Sequence, residues 1–273
     1  LAVFVALLAV VVAAAGAVAV TTVRSSFPQT AGEVRLPGLL APVDVRRDAA
    51  GIPQIYAETT DDLFRAQGYV HAQDRFFEMD FRRHLTSGRL AEWFGKDLLE
   101  TDMFVRTMGW RRIAAQEFER LAPTTKRYLE AYAQGVNSYL AEHKGSALSV
   151  EYTRGILGPR EEVDLWTPVD SLAWLKAMAW DLRSNLEDEV TRVLASTKVS
   201  PERVAELYPD YPYEKNPPIV AASAKSLPKG KRSPPRVTSE LLRLSAGDIR
   251  ALSGVRRTLE AAPGSLAGRG GDR

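Results

Sequence analysis

The chain has 273 residues, 45% of them hydrophobic, and a formal net charge of +2. This near balance of charge argues against a protein whose whole surface binds nucleic acid or another polyanion. The absence of cysteine excludes disulfide bonds, thiolate metal ligands and a cysteine nucleophile. A chain of this length can hold one large domain or two small ones.

The first 20 residues contain no polar side chain. Twenty apolar residues in a helix rise about 30 Å, which is the thickness of the hydrocarbon core of a bilayer. Residues 1–20 are therefore predicted to be the core of a signal peptide or an uncleaved membrane anchor. Ala17 and Ala19 would provide the small-x-small cleavage site of a signal peptide. Under either interpretation the residues that follow are exported. A buried core helix fits this terminal position less well.

Residues 21–40 are polar and contain two prolines and two glycines, which predicts an extended connector. Two segments of alternating polarity follow, at residues 41–48 and 52–57. Because the residues between them can form a turn, the two segments are predicted to pair as a β-hairpin.

The segment from Asp61 to Ser87 has the apolar spacing of a long, mostly buried helix that Gly88 would cap. Within it, His71 and Asp74 lie three residues apart and could place a metal ligand or a general base on one face. No third ligand lies at a matching spacing, so a buried aspartate–arginine–histidine network is the favoured interpretation. Further helices are predicted at residues 90–94, 101–121, 123–143, 167–184, 187–194, 200–208 and, weakly, 238–262, with a short strand at 148–152.

The composition changes after Pro209, where proline becomes frequent and a basic run, Lys229–Arg232, appears. This change predicts a solvated, mobile linker, although the basic run could instead bind an acidic partner. Before the linker, residues 187–189 form an acidic cluster. It could supply part of the six to eight oxygen ligands that calcium takes. A solvated helix N-terminus is the alternative interpretation.

Residues 38–212 contain several distinctive runs. They are GIPQIYA at residues 51–57, DLFRAQGYVHAQDR at 62–75 and SGRLAEWFG at 87–95, followed by the weaker LWTPVDSLA at 165–173 and NLEDEV at 185–190. Together these runs resemble the penicillin acylase family of N-terminal-nucleophile amidohydrolases. The family usually has histidine where Gln54 stands.

The resemblance implies an α+β, mainly helical fold: the α-chain part of an N-terminal-nucleophile (αββα) hydrolase, with a short N-terminal β-hairpin. In this family one precursor is cut into an α chain, a spacer and a β chain whose first residue is the catalytic serine. Residues 41–212 would be the α chain and residues 213–273 the spacer. The nucleophile is expected beyond Arg273, because Ser265 is followed by Leu-Ala-Gly rather than by the asparagine typical of the family.

The resemblance also implies roles for residues near the end of the α chain. Met178 and Leu182 would be apolar walls of the acyl pocket, and Asp181 and Arg183 would lie at its mouth. Ordinary core packing is the alternative for Met178 and Leu182. Glu189 would help to bind a structural calcium ion, with Glu187 as the alternative ligand.

The expected function is that of an exported amidase, which cleaves a linear amide between an acyl group and an amine such as a β-lactam nucleus or a homoserine lactone. The expected partners are the β chain of the same precursor, a small acyl amide and, if residues 1–20 are retained, a membrane; nucleic acid is not expected. The fragment alone should be inactive. A non-catalytic, membrane-anchored helical binding or scaffold protein is the alternative.

Overall fold

The computed structural model describes residues 2–153, 163–182, 185–209, 212, 215–216 and 245–261, with the side chains of the last stretch described as far as residue 256. The chain divides into two compact units, residues 1–180 and 181–273. Arg183 and most of the predicted spacer, residues 213–273, lie outside the described residues.

Helix α1 (Ala2–Ser25) is exposed along its length and has a mean hydropathy of 2.9. It is long and apolar enough to cross a membrane, and a signal sequence would meet the same criteria. The helix continues five residues past the predicted boundary at residue 20, and the hydroxyls of Thr21 and Ser25 donate hydrogen bonds to carbonyls about one turn earlier. The connector begins only after Ser25.

The predicted hairpin is confirmed. Strands β1 (Asp44–Arg47) and β2 (Pro53–Tyr56) pair antiparallel, with Val45 opposite Ile55. In the turn, the Asp48 carboxylate accepts hydrogen bonds from the backbone N–H groups of Ala50 and Ile52, each at 2.9 Å. These bonds satisfy backbone donors that the short sheet leaves unpaired.

Helix α2 (Thr60–Ser87) is the long helix that the sequence predicts, and it is interrupted by the non-helical backbone of Arg75. Thr59 is the N-cap, since its hydroxyl accepts the N–H of Asp62 at 3.1 Å. At the other end Gly88 has the left-handed conformation expected of a C-cap.

Helix α6 (Pro123–Glu142) packs along α2. The two helices approach most closely at Gly68 and Gly135. A Cβ atom on Gly68 would overlap the carbonyl oxygen of Tyr132, and one on Gly135 would overlap the carbonyl oxygen of Arg65. The main core of the first unit forms beside this crossing; it contains Tyr69, Ala72, Phe76, Ala133, Val136, Tyr139, Leu140, Leu148, Tyr152 and Trp166.

Two predicted elements were wrong. The single helix expected at residues 101–121 is two helices, because Gly109 adopts a left-handed conformation between them. The strand expected at residues 148–152 is replaced by 3₁₀ turns. The elements of this region are α3 (Ala91–Phe94), a 3₁₀ turn (Lys96–Leu98), α4 (Leu99–Met108), α5 (Trp110–Arg120), two 3₁₀ turns (Gly145–Ala147 and Val150–Tyr152) and α7 (Pro168–Asp181).

In the second unit, α8 (Leu186–Ser196), α9 (Pro201–Leu207) and α10 (Ala246–Ala261) are the described helices, and α10 packs against α8. Over the described residues of both units the structure is therefore mainly helical with one two-stranded antiparallel sheet. This confirms the coarse fold class, and the αββα arrangement stays a prediction.

Candidate functional site: an aromatic cavity between three helices

A cavity of about 570 Å³ opens in the first unit where α2, α6 and the start of α7 meet. Its volume lies within the range of small-molecule binding sites. Aromatic and aliphatic side chains form much of the wall. The lining residues are Phe64, Gln67, His71, Met79, Arg82, Arg83, Thr125, Tyr128, Leu129, Tyr132, Trp166, Asp170, Ser171 and Trp174.

The side of the cavity between α2 and α6 is held together by two ring pairs. Phe64 stacks on Tyr128 with 5.0 Å between ring centroids. The Nδ1 atom of His71 lies 3.0 Å from the hydroxyl of Tyr132. Burial lowers the pKa of His71, against the opposing effect of Asp74, and burial raises the pKa of Tyr132 to about 12. Both rings are therefore neutral at pH 7, which suits an apolar wall.

Asp74 does not join His71 in a two-residue site. Its carboxylate receives two hydrogen bonds from the guanidinium of Arg47, at 2.8 and 2.9 Å, and so ties β1 to α2. Of the favoured aspartate–arginine–histidine network, only the aspartate–arginine pair is present, with Arg47 supplied by the hairpin. His71 bonds Tyr132 instead.

A second charged network reaches the cavity wall through Arg83. The Asp80 carboxylate accepts hydrogen bonds from Arg83 and, at 2.7 Å, from the hydroxyl of Tyr152, and His84 lies 3.2 Å away. Burial alone would raise the pKa of Asp80, but the hydrogen bonds and the positive charge of Arg83 outweigh it, so that the pKa is lowered. The network fixes the position of Arg83 in the cavity wall.

Asp170 joins the cavity wall to the start of α7. Its carboxylate accepts hydrogen bonds from the N–H and the hydroxyl of Thr167, at 2.8 and 2.7 Å, and forms an ion pair with Arg111. The carboxylate therefore caps the start of α7, where Pro168 is the first helical residue. The carboxylate is buried and fully engaged, so it positions α7 rather than presenting a free base to the cavity.

The residues predicted for the acyl pocket lie at the far end of α7. Met178 is partly buried in the first unit, two turns after Ser171. Asp181 is the last residue of α7 and Leu182 follows it, with 73% of its side chain exposed, so Leu182 is not a core residue of its unit. None of the three lines the cavity itself. Arg183 lies outside the described residues.

Comparison with known proteins assigns the chain to a family. The family model described as penicillin amidase matches residues 42–265. The chain belongs to the penicillin amidase family. It is 41% identical over 155 residues to the penicillin acylase 2 proenzyme of a Pseudomonas species, covering 57% of this chain and 19% of that protein. It is 36% identical over 202 residues to the acyl-homoserine lactone acylase QuiP of Pseudomonas aeruginosa, covering 74% of this chain and 23% of that protein.

One solved structure extends the comparison to the fold. The thermostable penicillin G acylase from Alcaligenes faecalis superposes with a TM-score of 0.50 at 26% sequence identity. The match covers 69% of this chain and 97% of that chain. This chain therefore spans about a fifth to a quarter of the length of the curated relatives it matches. It covers almost the full length of one chain in the solved penicillin G acylase structure.

The calcium ligand predicted from the family resemblance, Glu189, is exposed in the first turn of α8. Its carboxylate accepts a hydrogen bond from the amide of Asn185 at 3.3 Å and lies 3.9 Å from Arg192. Within the described parts of the chain, no three acidic or histidine side chains are grouped as metal ligands would be. A calcium site that includes Glu189, or Glu187 as the alternative, stays a prediction, since calcium takes six to eight oxygen ligands.

No motif in the sequence predicts the cavity. One sequence feature points towards it, an apolar row on α6 in which Tyr128 and Tyr132 share a face with Val136 and Tyr139. The structure divides that row: Val136 and Tyr139 enter the core, whereas Tyr128 and Tyr132 face the cavity.

Proposed function

We propose that this chain is the α-chain and spacer segment of an exported amidohydrolase of the penicillin acylase type. The complete enzyme would cleave a linear amide between an acyl group and an amine. The observation that carries the proposal is the family match over residues 42–265. The curated relatives in this match are named as acylases, and so the non-catalytic scaffold alternative is not favoured.

The extents of the matches support a precursor that is cut into chains. The chain spans 19% of a protein named as a proenzyme, yet it covers 97% of one solved polypeptide of a penicillin G acylase. In our proposal residues 41–212 form the mature α chain, residues 213–273 are excised, and the β chain of the same precursor is the partner. The apolar helix α1 supports export, as a signal peptide or as an anchor.

The reaction would proceed through an N-terminal serine of the β chain. Cleavage of the precursor frees the α-amino group of that serine, which then removes the hydroxyl proton as the serine attacks the amide carbonyl. Preorganised hydrogen-bond donors would stabilise the oxyanion, the amine would leave, and water would hydrolyse the acyl-enzyme. In this scheme Met178 and Leu182 form the wall of the acyl pocket contributed by the present chain, and Asp181 and Arg183 lie at its mouth.

The amine is proposed to be a β-lactam nucleus or a homoserine lactone, the two classes that the names of the relatives indicate. A structural calcium ion remains part of the proposal. Glu189, or Glu187 as the alternative, would supply one carboxylate, and the remaining oxygen ligands would have to come from outside the described residues.

Hydrolysis assays on the complete processed enzyme test the proposal. Aliphatic and aromatic acyl amides of a β-lactam nucleus and of homoserine lactone are incubated with the enzyme, and the released amine is quantified. We expect hydrolysis of at least one series by the complete enzyme and none by residues 1–273 alone, since the nucleophile lies elsewhere. A processed enzyme that hydrolyses neither series would contradict the proposal.

A further inference from the structure

The ionised groups that line the cavity between α2, α6 and α7 are paired within the protein. Arg83 bonds Asp80 and the carbonyl oxygens of Asp164 and Leu165. Arg82 bonds Glu78 at 3.1 Å. The third ionised group, Asp170, is held by Arg111 and Thr167 as described above. Because these charges already have partners, the cavity offers an occupant apolar contact rather than a strong ionic partner.

Two tryptophan rings of the cavity wall are held in place by contacts with neighbouring side chains. The guanidinium of Arg82 lies 4.0 Å from the ring centroid of Trp174, and Trp166 donates its ring N–H to Ser171 at 3.0 Å. These contacts hold two indole rings in the cavity wall, which Phe64 and Tyr128 also line. Aromatic walls held in this manner bind alkyl and aryl groups at a low cost in conformational entropy.

Helix α7 connects this cavity with the predicted acyl pocket. Ser171 and Trp174 line the cavity, and Met178 follows on the same face of the helix, one turn beyond Trp174. We propose that the cavity is a subsite for the distal part of the acyl group, so that a long or bulky acyl chain passes Met178 and ends among Trp174, Tyr128 and Leu129. This inference rests on the proposed function and adds to it the class of acyl group that the enzyme prefers.

A cavity-filling variant with a matched control tests the subsite. Thr125 lies in the cavity wall at an exposed position in the first turn of α6, and its neighbour Thr124 is equally exposed but does not line the cavity. The complete processed enzyme is prepared with Thr125→Trp or with Thr124→Trp. For each, kcat/KM is measured with butanoyl and dodecanoyl amides of the amine that the unmodified enzyme accepts.

We expect Thr125→Trp to lower the dodecanoyl-to-butanoyl ratio of kcat/KM by about tenfold or more, because the indole occupies space that the longer chain needs. Thr124→Trp should leave the ratio within about twofold of the unmodified enzyme, since it adds the same side chain outside the cavity. A dodecanoyl-to-butanoyl ratio that Thr125→Trp leaves unchanged would overturn the inference, whether kcat/KM stays the same for both substrates or falls equally for both. An equal fall would mean that another part of the precursor fills the cavity.

A second variant covers the case in which Thr125→Trp prevents maturation. Trp174→Leu keeps an apolar side chain in the wall but removes the ring beneath Arg82, and it should raise KM for the dodecanoyl amide about tenfold more than KM for the butanoyl amide. An equal effect on both KM values would overturn the inference even though the enzyme remains an amidase. If the unmodified enzyme hydrolyses no acyl amide, the proposed function fails and this inference fails with it.

Discussion

Asp80 shows how single residues allow α2 to be both charged and buried. Its side chain is almost inaccessible to solvent, yet it remains ionised because Arg83, His84 and Tyr152 surround it. Removing one partner from such a group leaves the others buried without compensation, which costs more than the intact network contributes. The network also links α2 to the 3₁₀ turn that contains Tyr152.

We predict that Asp80→Asn lowers the free energy of unfolding by about 3–5 kcal/mol, because Arg83 would keep its charge without a carboxylate partner. The exposed pair Glu78–Arg82 provides the control, and Glu78→Gln should cost less than about 1 kcal/mol. Urea denaturation of the processed enzyme at pH 7 measures both. Equal costs for the two substitutions would contradict the prediction.

The pH dependence of stability should identify the same carboxylate. The pKa of Asp80 is lower in the folded protein than its ordinary value, so its stabilising effect is complete above pH of about 4 and is lost as the pH falls through the folded pKa. Asp80→Asn should therefore flatten the loss of stability with acid relative to the unmodified enzyme. The urea midpoints of both proteins are measured from pH 6 down to the acid limit of folding. If the midpoints of Asp80→Asn and of the unmodified enzyme fall in parallel, Asp80 makes no such contribution.

The sequence predicted the pairing of these charges but not the partners. Burial of an amphipathic helix that carries Asp74 and Arg83 requires compensation, and that much follows from the pattern alone. Asp80, a partner of Arg83, lies three residues away on the same helix. The other partners come from distant parts of the chain: Arg47 from the hairpin pairs with Asp74, and the carbonyl of Asp164 lies in the segment before α7. No local spacing encodes contacts that arise only when separate elements pack.

At the level of elements, the crossing of α2 and α6 sets the positions of both the core and the cavity. Gly68 and Gly135 permit this approach because neither carries a Cβ atom. In the sequence each of them reads as an isolated glycine that weakens a helix, with no indication that it faces another backbone. The helix ends were easier to predict, since Gly88 and the Thr167–Asp170 capping arrangement act within a single turn.

We predict that Gly68→Ala and Gly135→Ala each lower the free energy of unfolding by about 3 kcal/mol or more, because the new methyl group would overlap a carbonyl oxygen of the facing helix and force the helices apart. Gln134→Ala is the control on the exposed face of α6, and it should change the value by less than about 0.5 kcal/mol. Urea denaturation compares the three variants. Tolerance of alanine at both glycines would show that the helices do not approach so closely.

At the level of the whole molecule, the two compact units differ in what the complete enzyme is proposed to retain. The first unit, residues 1–180, contains the hairpin, the main core and the cavity. The second contains α8 and α9 of the proposed α chain, and also α10, which falls within the proposed spacer. The family match runs to residue 265 and so includes sequence on both sides of the proposed boundary at residue 212.

We predict that the active enzyme lacks most of residues 213–273. In the proposed mechanism the N-terminal serine of the β chain has no free amine until the bond before it is cut, so activity would require cleavage after the spacer. The proline-rich, basic sequence between Pro209 and Arg236 is of the kind that proteases reach easily, which favours a further cut near the end of the α chain. Intact-mass measurement of the purified active enzyme should give a small chain that ends near residue 212 and a separate large chain. Recovery of full amidase activity in a preparation whose small chain still extends through Arg273 would show that spacer removal is unnecessary.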